Sequence, residues 1–370
     1  MILFIWLVRG LDMLAGLLFR TPRLKGSPPV PAGPRISVIF ASRDEGERVR
    51  RALERLLAQD YPDYEIVAVN DRSSDADALI LHSISDPRLR VLDVETLPAG
   101  WLGKTHALHE GYRASSGEWL LFTDADVQMD SGALSAAVAA VRERGLDHLT
   151  VAPDLELESW IEAVFTNFFT LQFSLRYRPW AARDRLMPAY AGIGAFNFVR
   201  REAYEKAGTH ERLALEIADD MMLGKIVKRA GFRSMFATAG GLVRVRWIEG
   251  FAGVLSSLQK NAFRGLEYSV PLLAAATGYL FLMDVVPFFG LFLASGALRA
   301  ASAGSVAVIF ALYAAGQRTN RTSLATFPAH PLAAVFFLFI LWRSALTALG
   351  EGGVRWRGTF YPLKELKKFR

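Results

Sequence analysis

Between residues 268 and 349 the chain carries only five charges, Asp284, Arg299, Arg318, Arg321 and Arg343, in 82 residues. A soluble surface normally has about a quarter of its residues charged, so this stretch must face lipid. Over the whole chain 22% of residues are charged and 52% hydrophobic, which puts nearly all the charge in the first 267 residues and the tail. The chain therefore divides into a soluble part and a lipid-embedded part. This composition excludes disordered and collagen-like classes. With no cysteine at all, disulfide scaffolds, thiolate zinc sites and cysteine nucleophiles are excluded as well. The net charge is +6, and all but nine of the 43 basic residues are arginine. They are scattered through helices and along the edges of apolar runs, without a basic stripe interleaved with aromatics. That distribution suits a cytosolic membrane face, and no nucleic acid is expected as a partner.

Five segments follow. Residues 1–20 are an apolar membrane anchor interrupted by Arg9 and Asp12; no small-residue cleavage site follows, so the anchor is uncleaved, either spanning or lying in the interface. Residues 21–34, with Pro22, Pro28, Pro29, Pro31 and Pro34, form a stiff extended linker. Residues 35–267 are an α/β domain. Residues 268–349 form a transmembrane helical domain with apolar runs at 270–298, 305–315 and 332–349. Asp284 and Pro287 break the first run into one tilted helix or two short ones, giving three or four spans. Residues 350–370 are a basic tail; Lys364, Lys367, Lys368 and Arg370 favour an even number of spans, which keeps the tail cytosolic beside the α/β domain.

Within 35–267, short β-branched runs alternate with helical periodicity. Strands are predicted at 36–40, 65–70, 89–93, 119–123 and 149–152, and helices at 45–59, 77–83, 104–114 and 132–144. This is the pattern of a parallel α/β sheet. A long aromatic segment, 160–180, then precedes a second strand-and-helix unit at 194–231. Its Trp160, Phe165, Phe168, Phe169, Phe173 and Tyr177 recur at near-helical spacing, as in a helix at the bilayer interface or a core helix under the sheet.

The strand at 119–123 runs into Asp124-Ala125-Asp126. Period two puts both carboxylates on one side, at the carboxyl edge where α/β sheets bind ligands. Two hard oxygen ligands there suit Mg²⁺ or Mn²⁺ carrying a substrate diphosphate; a plain turn, with Asp130 and Ser131 capping the next helix, is the competing reading. The first strand ends in Ser42-Arg43-Asp44-Glu45 and the second in Asn70-Asp71-Arg72-Ser73-Ser74-Asp75, so three strand ends present acids on one edge. Asp71 with its serines is suited to a base or ribose, while Ser73, Ser74 and Asp75 also suit a helix cap. Asp219 and Asp220 open a helix at 221–229, where one acid, Asp219, is placed to cap. Gly192-Ile193-Gly194-Ala195-Phe196-Asn197 follows no βα phosphate turn and is no dinucleotide fingerprint. His106 and His109 lie three apart on one helix with no third ligand and read as a solvent-facing pair. P-loop and nucleophile-elbow motifs are absent.

The ordered set of residues 37–45, 70–75, Gly100-Trp101-Leu102-Gly103-Lys104, Asp124-Ala125-Asp126 and Ala218-Asp219-Asp220 resembles family 2 glycosyltransferases of the GT-A fold over roughly 35–265. Within that family, Pro98 with the Gly-Trp-Leu-Gly-Lys run and the membrane segments most resemble the membrane-bound glucosyltransferases of carotenoid and hopanoid pathways. The resemblance implies an α/β, Rossmann-like GT-A domain beside transmembrane helices, and inverting transfer from a nucleotide-diphosphate sugar. It implies that Arg43, Asp44 and Asp71 surround uracil and ribose, that Lys104 lies near the nucleotide, and that Asp124 and Asp126 serve metal and diphosphate. By the same resemblance Asp220 is the general base and Gly194 lies in a glycine-rich strand lining the sugar pocket; a tight turn under Phe196 and Phe198 is the alternative for that strand.

One family pattern is absent. Polysaccharide synthases and ceramide glucosyltransferases carry Gln-x-x-Arg-Trp after the base, whereas this chain has Gln259-Lys260-Asn261-Ala262-Phe263-Arg264, which argues against a processive polymerase. Lys260 and Arg264 are either cations for the diphosphate or solvated interfacial residues. The expectation is a multi-pass protein of the cell inner membrane with a cytosolic catalytic domain. It moves a hexose, glucose in the first instance, from a UDP-sugar to a lipid hydroxyl such as that of a carotenoid or hopanoid, with Mg²⁺ or Mn²⁺. The alternatives are a polyprenyl-phosphate or polysaccharide glycosyltransferase, and a non-catalytic sugar-nucleotide-binding membrane protein.

Overall fold

The computed structural model describes residues 1–28, 30–74, 76–259, 261–320 and 323–368. Pro29, Asp75, Lys260, Arg321 and Arg370 therefore lie outside the described residues. The chain forms two compact units: Thr21–Glu156 with Pro179–Arg246, and Met1–Arg20 with Leu157–Arg178 and Trp247–Arg370.

In chain order the strands of the first unit are β1 Ile36–Ser42, β2 Tyr64–Asp71, β3 Leu89–Val94, β4 Trp119–Asp124, β5 Gln128–Met129, β6 His148–Ala152, β7 Asp154–Leu155, β8 Asn197–Arg200, β9 Ser234–Thr238 and β10 Val243–Val245. Seven of them form one sheet in the order β3-β2-β1-β4-β8-β6-β9, and β5, β10 and β7 form a small second sheet. The five predicted strands and four predicted helices all appear, with ends shifted by a few residues. The expectation of a parallel sheet needs correcting, because β8 runs antiparallel to both β4 and β6. The chain leaves this unit after Glu156 and re-enters at Pro179. From there to β8 the only helix is the short turn Pro179–Ala181, so no crossover helix obliges β8 to lie parallel.

Central strands read as unbroken apolar runs because both faces are covered. Ile39, Val67, Val69, Leu120 and Phe122 pack with Leu108, Tyr204, Leu223 and Val227 from helices over one face. The predicted linker is also tied down. Leu24 donates its N–H to Thr238 at 2.7 Å, and Thr238 donates to Pro22 at 3.0 Å, so the segment covers the otherwise open edge of β9.

In the second unit the aromatic helix Trp160–Tyr177 packs Phe165 and Phe168 among apolar side chains that include Ile248, Val254, Ile340, Val285 and Ala334. It is therefore a helix among other helices and not a core helix under the sheet. Arg9 and Asp12, which interrupt the N-terminal apolar run, are both met inside this unit. Asp12 accepts two hydrogen bonds from Arg178 at 2.8 and 2.9 Å, and Arg9 donates to the Leu175 carbonyl at 2.6 Å.

Among the described residues four helices are long and apolar enough to cross a membrane: Ile2–Arg20, Val270–Leu293, Gly296–Gln317 and Leu324–Gly350. Asp284 does not split the first C-terminal run. It lies in a π-helical turn, Phe281–Val285, between helices Val270–Leu280 and Val286–Leu293. The C-terminal block thus has three candidate spans among the described residues, not the even number argued from the basic tail. Asp284 is 1% exposed; its Oδ1 accepts from Gln172 at 2.8 Å and lies 3.1 Å from Nε2 of His330, whose Nδ1 meets the Tyr313 hydroxyl at 3.1 Å. A buried acid in such a segment is stable only with partners of this kind. Replacing Asp284 with Leu strands the Gln172 and His330 donors and should cost about 2 kcal/mol or more. Thermal melts in detergent check this, and an unchanged Tm would contradict it.

Candidate functional site

The carboxyl ends of β2, β1 and β4 lie side by side, with Ser42 opposite Asn70 and Ala41 opposite Asp124. Beyond the ends of β1 and β2 the backbone turns through Asp44 and Arg72, at φ 55° and 57°. Non-glycine residues adopt this left-handed conformation only where surrounding bonds hold them, often at ligand sites. Here the bonds converge on Asp77. Fully buried, it accepts from the Ser42 hydroxyl at 2.6 Å and from the amides of Glu45 at 3.0 Å and Gly46 at 2.6 Å.

The two loops are laced together around this anchor. Asp44 Oδ1 accepts from the Ser74 amide at 2.7 Å and its hydroxyl at 3.0 Å. Asp71, 3% exposed, accepts from Arg72 Nε at 2.8 Å and has Arg43 Nη1 at 3.9 Å. The expected serine cap of the next helix is not made: its N-cap is Ala76, without a side-chain bond, because Ser74 is bound to Asp44. Likewise Asp130 and Ser131 do not cap the helix Ala133–Arg144, whose N-cap is Gly132, while Asp130 pairs with Arg244 at 2.9 Å.

Lys104 opens the helix Gly103–Arg113. The turn before it is pinned to the segment that leads into Asp219: the Leu102 amide and the Thr105 hydroxyl both donate to the Ala214 carbonyl at 2.7 Å. Its ammonium lies 2.7 Å from Asp124 Oδ1 and 3.6 Å from Asp219 Oδ1. Burial alone would lower the Lys104 pKa, but the charges of Asp124, Asp219 and Asp220 hold it above the ordinary value. Asp219 does not cap its helix; the N-cap of Asp219–Arg229 is Ala218. Asp219 instead faces Lys104, since a charged partner offers more than a neutral amide.

Asp220 accepts from the Gly194 amide at 2.8 Å and the Met221 amide at 2.7 Å. Burial, reinforced by Asp124 and opposed by Lys104, raises its pKa. The glycine-rich segment makes this contact possible. A Cβ on Gly192 would strike the Asp220 carbonyl, one on Gly194 the Asp124 carboxylate, and one on Gly224 the Ala191 carbonyl. Gly194 therefore lies between Asp124 and Asp220, in a loop before β8 and not in a strand.

A small cleft is lined by Lys104, Thr123, Gly194, Asn197, Asp219 and Asp220, together with His210. Asp126 is half-buried. Burial, and after it the charges of Asp124 and Glu45, pushes its carboxyl up to about 7. No three His, Asp or Glu side chains converge into a cation site among the described residues. The donor set of Asp124 and Asp126 still fits one in part: Asp126 is an acid crowded by other acids, and two carboxylates leave positions for phosphate oxygens and water. The predicted residues thus fall into two clusters, Arg43–Asp44–Asp71 and Lys104–Asp124–Gly194–Asp219–Asp220, with Asp126 beside Asp124 in chain and charge. His106 and His109 are not a solvent-facing pair: His109 is 8% exposed, and Trp101 packs on His109 and His106 at 5.2 and 5.6 Å. Asp77 and His210 carry no site signal of their own in the sequence, and Glu45 carries one only as the last acid of the 37–45 motif. Asp77 reads only as a helix start, and His210 as one of six histidines that form no metal cluster.

A mixed α/β sheet in this strand order is the fold of GT-A glycosyltransferases. Residues 37–208 match the family model Glycosyl transferase family 2. Over 340 residues the chain is 23% identical to 4,4'-diaponeurosporenoate glycosyltransferase of Staphylococcus aureus strain MRSA252, covering 89% of each. It is 22% identical to the same enzyme of the bovine strain RF122 / ET3-1 over the same shares. Among solved structures it resembles the mannosyltransferase PcManGT from Pyrobaculum calidifontis, in complex with GDP-Man and Mn²⁺, at TM-score 0.50 and 17% identity, covering 92% of this chain and 99% of that one. Residues 37–208 thus form a family 2 glycosyltransferase domain, in a chain that resembles carotenoid-pathway glycosyltransferases.

Two outcomes follow from the site. Asp77→Ala removes the acceptor for a hydroxyl and two amides and should cost about 3 kcal/mol, read as a lower Tm; an unchanged Tm would contradict the anchor. For Asp126, the folded carboxyl titrates at about 7 against about 3.9 unfolded. The native state thus keeps a proton that the unfolded state loses across that window, and stability falls as pH rises through it. The raised Asp220 acts in the same direction. Asp126→Asn should flatten this slope and lift Tm at pH 8 relative to the parent protein, and a slope left intact would refute the assignment.

Proposed function

We propose that this chain is an inverting hexosyltransferase that moves glucose from UDP-glucose to the hydroxyl of a membrane lipid, such as a carotenoid or hopanoid. It works from a multi-pass position in the cell inner membrane with the α/β unit on the cytosolic side. The observation that carries this reading is the meeting of Asp124 from β4 and Asp219 from a separate helix on the single ammonium of Lys104, next to Asp220, whose carboxyl is fixed by two amides. Four candidate spans and a relative named for diaponeurosporenoate support a lipid acceptor.

In this reading Arg43, Asp44 and Asp71 hold the nucleoside. Lys104 stabilises charge on the leaving diphosphate from a fixed position, which avoids reorganisation during the reaction. A divalent ion, Mg²⁺ or Mn²⁺, held by Asp124 and Asp126 would supply further positive charge there. Asp220 takes the proton of the acceptor hydroxyl. Its two amide bonds aim the carboxylate, each oxygen keeps a lone pair free, and its raised pKa makes it a stronger base than an exposed carboxylate. Asp219 holds Lys104 in place.

The reading is tested with protein purified in detergent, UDP-glucose and dispersed carotenoid or hopanoid alcohols, with products identified by mass spectrometry. Asp220→Asn should lose about 10²–10⁴-fold in turnover with donor affinity kept, and Asp219→Asn should lose less. An active Asp220→Asn protein beside a folded, inactive Asp219→Asn protein would reverse those two roles. Replacing Asp124 and Asp126 together with Asn should abolish metal-dependent UDP binding in calorimetry; affinity unchanged with and without chelator would remove the metal from the account. Faster transfer to a water-soluble sugar than to any lipid alcohol would remove the lipid acceptor.

A further inference from the structure

Tyr204 is wholly buried and has two hydrogen-bond contacts, both with His210: its oxygen accepts the His210 backbone N–H at 2.9 Å and lies 2.6 Å from Nδ1 of the same residue. A phenol has one proton to donate, and Nδ1 is the acceptor within reach of it. If Nδ1 carried the ring proton, the phenolic O–H would be left unpaired in the core, which is costly. The O–H therefore donates to Nδ1, and the neutral ring carries its own proton on Nε2. Burial, with His109 and Lys104 behind it, brings the His210 pKa down to about 3, so this arrangement holds at every working pH.

The ring packs edge-on against Phe122 at 4.8 Å, two residues before Asp124, and lines the cleft with Lys104, Asp219 and Asp220. Nε2 has no partner among the described residues and is not one of the enclosed polar atoms left without a bond, so it opens on the cleft. The charges that act on the ring are those of His109 and Lys104. A neutral N–H in such surroundings suits an uncharged oxygen, since Lys104 is the cleft's group for phosphate charge.

We propose that His210 is a sugar-contacting residue whose Nε2–H donates to a hydroxyl or ring oxygen of the transferred hexosyl group, and that Tyr204 is a positioning residue that fixes the tautomer. This rests on the reading of the site as one for a nucleotide sugar. It adds a determinant of the sugar, as distinct from the nucleotide.

The test compares, by calorimetry on the full-length protein in detergent, a nucleotide sugar with its own nucleoside diphosphate. The probe is whichever of UDP-glucose, UDP-N-acetylglucosamine and GDP-mannose the unaltered protein binds most tightly. His210→Phe keeps an aromatic ring at the position and removes the donor. It should lower nucleotide-sugar affinity about tenfold while leaving the nucleoside diphosphate unaffected. Tyr204→Phe should lower it less, and should add nothing on top of His210→Phe. The double variant also removes the stranded phenol and serves if His210→Phe alone folds poorly. An unchanged ratio of the two affinities in a folded variant, or parallel loss of both ligands, would overturn the proposal while leaving the glycosyltransferase reading standing. Binding of none of the three sugars by the unaltered protein would overturn both.

Discussion

The site is organised around one ammonium group. Lys104 meets an acid that ends a central strand and another that begins a helix 115 residues further along. Without that cation, Asp124, Asp219 and Asp220 would be three carboxylates gathered in a partly buried cleft, and burial would favour protonation or separation. Other features follow from this pairing. Gly194 must lack a Cβ because Asp124 lies against it, Gly192 because the backbone of Asp220 does, and the Leu102–Ala214 bond sets the height of the lysine. In the proposed function the same ammonium takes up the diphosphate, so the interaction that steadies these acids is also the one a donor would use.

The strand-and-helix alternation was legible because central strands of a covered sheet are continuous apolar runs, and because the acids follow them directly. What the sequence concealed was long-range. Nothing near Asp77 distinguishes a helix start from a buried acceptor for Ser42, Glu45 and Gly46, since its partners lie more than thirty residues away in sequence. Capping was misassigned at Ser74 and Asp219 for a common reason: local rules rank a side chain against its own helix, whereas both residues found charged partners elsewhere. The direction of β8 was hidden because periodicity carries no sign of strand sense. His106 and His109 looked solvated because Trp101, which covers them, belongs to the preceding loop.

The apolar unit shows the same economy with charge. Arg9 and Asp12 weaken the N-terminal segment as an isolated anchor, but as members of a helix bundle they are bonded to Leu175 and Arg178. Asp284, which reads as a break, is instead the acceptor for Gln172 and His330 in a π-helical turn. These three interruptions of hydrophobicity are thus points of attachment between segments distant in sequence, and the aromatic helix Trp160–Tyr177 is held at both of these places.

The account centres on a direct displacement with a single base, and the stereochemistry of the product tests it most directly. With UDP-α-glucose and water as acceptor, proton NMR of the first sugar released, recorded before mutarotation, reads the anomer without knowledge of the natural acceptor. The account predicts β-glucose as the initial product, formed by attack opposite the diphosphate held at Lys104. Initial release of α-glucose would contradict it and would require a mechanism in which Asp220 is not the base of a single displacement.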